Sequence, residues 1–128
     1  MRHGKNRLME LRTGAQKQSQ VVRNLLTSLV THGTITTTPE RAKVLKSHAD
    51  SFFAGLVSLY NNNEATLAKR EAVRMTKSIL FTDEAGKKVL NDLVPNWIQN
   101  KKTTGFVMDL KLGARAGDAS EKVLVRII

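Results

Sequence analysis

The chain has 128 residues, no cysteine, 41% apolar side chains and a formal net charge of +10. That length builds one hydrophobic core, while the missing thiols exclude disulfides and cysteine-ligated metals and fit a reducing compartment. No apolar run approaches the roughly 20 residues of a membrane span, and no apolar stretch follows the basic start as in a signal peptide.

The positive charge is gathered at the front. Residues 1–39 hold Arg2, Lys5, Arg7, Arg12, Lys17 and Arg23 against one acid, Glu10, and no carboxylate occurs from Leu11 to Pro39. A surface facing only water mixes both signs, so this stretch predicts a polyanionic partner, nucleic acid foremost.

Residues 1–14 lack a sustained period and contain Gly4 and Gly14, which predicts an extended basic arm ahead of one domain over residues 15–128. Val21, Val22, Leu25, Leu26, Leu29 and Val30 then recur at helical spacing. The opposite face (Gln20, Arg23, Asn24, Thr27, Ser28, Thr31) is polar and almost uncharged, and Gly33 is a helix stop. Thr34–Thr38 reads as a short β-branched strand. Thr38-Pro39-Glu40 opens a second helix reaching about Tyr60, with Ala42, Leu45, Ala49, Phe52, Phe53 and Leu56 inward and Asn61-Asn62-Asn63 as its break. A third helix spans Glu64 to Ser78. A shorter fourth starts at Thr82-Asp83-Glu84 and is expected to end near Pro95.

From Phe106 the period changes to two. Phe106, Met108, Leu110 and Leu112 alternate with Val107, Asp109 and Lys111, which predicts a strand. Gly113 to Ser120 reads as a connecting loop and Lys122 to Ile128 as a second strand, apolar on both faces and therefore central or covered. The expected fold is α+β: a small three-stranded mixed sheet packed with about four helices on one side.

No catalytic triad elbow, zinc-protease motif or nucleotide-binding glycine loop occurs. Gly113-Ala114-Arg115-Ala116-Gly117-Asp118 lacks the Lys-Ser/Thr ending of a phosphate loop and precedes a strand. It reads either as a plain connection or as a place where Lys111 and Arg115 meet phosphate. His3, His32 and His48 are too dispersed for a metal site; His32 suits a helix end, and His3 suits a base or phosphate contact. Phe52 and Phe53 are expected in the core, and Trp97 as a lid on it rather than a base-stacking group. Lys69, Arg70, Lys87 and Lys88 stand among acids and read as solvated helix faces. Lys101-Lys102 reads as a turn or a backbone contact, and Arg41, Lys43 and Lys46 as nucleic-acid contacts or solubilising charge. Hence neither an enzyme nor a metal, cofactor or small-molecule substrate is expected. A small basic DNA- or RNA-binding regulator is the alternative, although a helix-turn-helix requires a second helix where Thr34–Thr38 reads as a strand.

Specific residues then carry a resemblance. Met1-Arg2-His3, Arg23-Asn24-Leu25, the stretch Ile35-Thr36-Thr37-Thr38-Pro39-Glu40-Arg41-Ala42-Lys43 and an acid at Asp50 occur in order. They continue through Leu90-Asn91-Asp92-Leu93-x-Pro95 and Gly105-Phe106 to Leu110-Lys111-Leu112-Gly113-x-Arg115-x-Gly117-Asp118. This pattern resembles the bacterial large-subunit ribosomal protein L-seventeen family. The chain departs from it with Gln16-Lys17 in place of His-Arg, Gly33 in place of Glu, Met108 in place of a basic residue, and Glu121-Lys122 in place of an apolar pair.

The resemblance implies a structural, non-catalytic protein of the cytoplasmic large subunit, bound to 23S rRNA near the nascent-chain tunnel outlet and beside neighbouring large-subunit proteins. The RNA-binding residues expected on this footing are Arg2, His3, Lys5, Arg7, Arg12, Lys17, Arg23, Asn24, Thr36, Thr37, Arg41, Lys43, Lys46, Lys111 and Arg115. Recognition is expected through phosphate, shape and 2′-hydroxyl, with arginine forks on phosphate and the neutral face of the first helix against RNA.

Overall fold

The computed structural model describes residues 18–114, 116–117 and 120–128. The expected arm over residues 1–14 lies outside the described residues. Helix α1 (Gln18–His32) leads into strand β1 (Thr34–Thr37), then α2 (Pro39–Asn62) and α3 (Ala65–Ile79). A helical run follows: α4 (Asp83–Lys88), a π-helical turn over Val89–Leu93, and α5 (Val94–Gln99). Strands β2 (Val107–Ala114) and β3 (Glu121–Ile127) complete the fold.

Local chemistry explains most boundaries. Gly33 takes a φ of +79°, which a side chain would oppose, and its N–H donates to Leu29 O at 2.7 Å to close α1. Pro39 begins α2 where its absent N–H has no partner to lose. Thr82 Oγ accepts the Ala85 N–H at 3.2 Å and starts α4, with Asp83 and Glu84 in the first turn.

Pro95 does not end its helix. The Val94 N–H reaches back five residues to Val89 O, widening the turn just before the proline, and α5 continues to Gln99. A proline in the first turn after such a π-bulge loses no helical hydrogen bond that the wider turn would have made.

The sheet order is β1-β3-β2, with β3 in the middle as its two-sided apolar sequence requires. Both pairings are antiparallel, which corrects the expected mixed sheet. The β2–β3 connection is short enough only for an antiparallel hairpin, and β1 enters on the free side of β3 in the same sense as β2. Strand β2 also runs further than its alternation predicts. A bulge between Lys111 and Gly113 absorbs Leu112 and carries the pairing on to Ala114 opposite Glu121.

Helices cover one face of the sheet. Val107, Val123 and Val125 point inward onto Leu45, Ala49, Phe53 and Leu56 of α2, with Leu26, Leu29 and Val30 of α1 completing the buried core. At its centre Trp97 stacks obliquely on Phe53 and Phe106, with ring centroids 4.9 and 4.7 Å apart, and its indole N–H donates to Ile128 O at 3.1 Å. The core roles expected for Phe52 and Phe53 hold, whereas Trp97, expected as a lid, lies within the core. Asp50, half-buried on α2, accepts the N–H groups of both Phe106 and Val107 at 3.1 Å and so fixes where β2 starts.

Candidate nucleic-acid interface

The polar side of α1 divides in two. Asn24, Ser28 and Thr31 are exposed. Arg23 and Thr27 turn instead towards the junction of α3 and α4. Arg23 Nε donates to Ile79 O at 2.9 Å, and its guanidinium lies 4.2 Å from the centroid of the Phe81 ring. Thr27, only 8% exposed, donates its hydroxyl to Arg23 O and accepts the Phe81 N–H. Its hydroxyl is therefore committed inside the protein, which corrects its expected place on the RNA-facing side. An uncharged helix face looked uniform because spacing alone does not show which polar residues a neighbouring loop will claim.

Strand alternation separates Thr36 from Thr37. Thr36 is exposed on the face without helices, whereas Thr37 is half-buried on the inner face opposite Val123. Arg41 and Lys43 are exposed on the first turns of α2, between the buried Ala42, Val44 and Leu45. Lys46 Nζ reaches Asp109 Oδ1 of β2 at 3.2 Å. Lys111 is exposed two residues along the same face of that strand, so the fold brings Lys46 and Lys111 to one place. The Lys46–Asp109 pair is solvent-exposed and screened, so it holds Lys46 loosely. Arg2, His3, Lys5, Arg7, Arg12, Lys17 and Arg115 lie outside the described residues.

The outer face of the sheet is uncovered among the described residues. Met108, Leu110 and Leu112 are 38%, 52% and 47% exposed, with Leu124 between them and Lys122, Arg126, Thr34 and Thr36 around the edge. It is an aliphatic patch with a cationic rim and, among the described residues, no carboxylate; Asp109 has the opposite parity. Alternation gives a period but not which phase faces the core; the structure turns Val107 inward and Met108, Leu110 and Leu112 outward.

Among the described residues no group of three or more His, Cys, Asp or Glu is placed to hold a metal, and no helix is long and apolar enough to cross a membrane. Helix α1 is followed by β1 rather than by a second helix, as expected against a helix-turn-helix.

A family model for ribosomal protein L17 matches residues 21–128. The chain belongs to the ribosomal protein L17 family. Its relatives include the large ribosomal subunit protein bL17 of Fervidobacterium nodosum, 31% identical over 131 residues that span all of this chain and 99% of the relative. The bL17 of Thermotoga neapolitana is 28% identical, covering 100% and 95% of the two chains, and that of Desulforudis audaxviator is 32% identical, covering 84% and 87%. The stretch that the L17 model matches includes Asn24, Thr36, Arg41, Lys43, Lys46 and Lys111.

Proposed function

We propose that this L17 chain is a structural component of the large ribosomal subunit that binds 23S rRNA near the outlet of the nascent-chain tunnel and performs no catalysis. Its membership of the L17 family carries this reading, since the relatives are named as large-subunit proteins. The charge pattern supplies the mechanism. Basic groups of residues 1–17 neutralise phosphates where several RNA backbones converge, with arginine forks favoured over lysine for bidentate contact. Asn24, Ser28 and Thr36 offer hydroxyl and amide groups to ribose and phosphate without adding charge, while Thr31, whose hydroxyl donates to Thr27 O, accepts from a ribose hydroxyl. Arg41, Lys43, Lys46 and Lys111 extend the cationic surface beside them, and the aliphatic outer face of the sheet suits a neighbouring ribosomal protein.

The test is co-sedimentation of the tagged chain with large-subunit particles, followed by 23S rRNA binding at graded salt. Five neutralised phosphates, one for each Lys or Arg of residues 1–17, give a slope of log affinity against log salt of roughly −3.5 to −4.5. A flat salt dependence, or a chain that never enters large-subunit fractions, would refute the reading. Removal of residues 1–14 is expected to leave the circular dichroism spectrum intact and to weaken rRNA binding steeply.

A further inference from the structure

Lys69, Lys77 and Lys87 are scattered in sequence, yet α3 and α4 bring them around one hollow of about 520 Å³. Val73 and Leu90 give it apolar walls, and Tyr60 and Asn91 also line it. None of the three lysines has a carboxylate partner among the described residues; Asp83 is the one acid on the lining. A second, shallower hollow adjoins the first along α3, shares Lys69 and Val73, and adds Arg70. None of these residues belongs to α1, β1, β2 or the first turns of α2, where the other candidate contacts lie.

We propose that this hollow receives one unstacked nucleotide of an RNA strand, whose backbone continues along the basic face of α3. The inference rests on the rRNA-binding reading and adds a second contact surface to it. The volume falls within the range of sites that hold small organic ligands. An apolar wall with an aromatic ring takes the face of a base, and the Asn91 amide, which has no partner among the described residues, offers a donor and an acceptor to its edge. The Tyr60 phenol, whose ordinary value lies far above physiological pH and is only raised further by burial, is a neutral donor there. The lysines meet the phosphates on either side, and Asp83 accepts from a ribose hydroxyl, a contact that deoxyribose cannot make.

The test is an amide NMR titration of the full chain with adenosine 5′-monophosphate, its 2′-deoxy analogue, adenosine and inorganic phosphate. The monophosphate is expected to shift signals of residues 69–77 and 82–91 saturably. Adenosine and phosphate alone should each bind at least tenfold more weakly, and the deoxy analogue severalfold more weakly. The K69Q/K77Q/K87Q variant, altered only at side chains without ion pairs, should lose at least tenfold in affinity for the monophosphate. The N91A variant should lose affinity for the monophosphate but not for phosphate. Equal binding of phosphate and monophosphate, or shifts confined to other residues, would overturn the proposal. Salt-dependent 23S rRNA binding that persists with the hollow silent removes the hollow and leaves the ribosomal reading standing. A responsive hollow in a chain that never binds 23S rRNA removes the ribosomal reading alone.

Discussion

Asp50 shows how much one side chain can fix. It sits within the longest helix and takes two backbone N–H groups from residues more than fifty positions later. Asp50→Ala leaves both donors unpaired at a half-buried site and is expected to destabilise the fold by about 2–4 kcal/mol. Asp50→Asn keeps an accepting oxygen and should lose less than half of that. Urea unfolding followed through the fluorescence of Trp97, the sole tryptophan, measures both. Arg23 has a similar internal role through Ile79 O and the Phe81 ring, so Arg23→Ala should destabilise by about 1–2 kcal/mol. An Arg23 that served RNA alone would leave the unfolding midpoint unmoved. Tyr60 is the sole tyrosine, and burial raises its phenol above 10.0. The unfolded chain therefore ionises first: this stabilisation is complete below pH 10.0 and falls as pH rises beyond it. Phenolate absorbance with and without urea shows the two midpoints in that order.

At the scale of elements, the end of α5 carries a correctable strain. Lys101 N–H donates to Ile98 O and Lys102 N–H to Trp97 O, a helix ending that places Lys101 at a φ of +55°. Glycine usually fills that position, because a side chain in the left-handed region costs roughly 1 kcal/mol. Lys101→Gly is thus expected to raise the unfolding free energy by about that amount, read as a higher urea midpoint at unchanged slope. The element boundaries were largely legible in the sequence because the signals there are local. Gly33, Pro39, Thr82 and the three asparagines after Tyr60 each act within one turn of chain. The failures were non-local. Pro95 reads as a terminator unless a widened turn precedes it, and the sheet reads as mixed until the partner of each strand is known.

At the scale of the molecule, the same distinction separates what sequence revealed about the site from what it hid. The Ile35–Lys43 stretch identifies the family, and Arg41, Lys43 and Lys111 are exposed as a charged surface requires. By contrast, Lys69 and Lys87 read as solvated helix charge until the packing of α4 against α3 set them around one cavity with Lys77. Convergence of this kind is a tertiary fact with no trace in spacing.

The strand order also has a kinetic consequence. The middle of the sheet is its last strand in the chain, and Thr34 finds its partner only at Arg126. Neither β1 nor β2 can pair while residues 121–127 are still unmade, so packing of the helices on a finished sheet waits for closure of a loop of roughly 90 residues. A chain stopped after Ser120 loses the strand on which both others depend, and should show helical circular dichroism without a cooperative melt. During synthesis the basic front emerges long before the domain can close, so one end of the molecule is available to RNA while the other has yet to be translated.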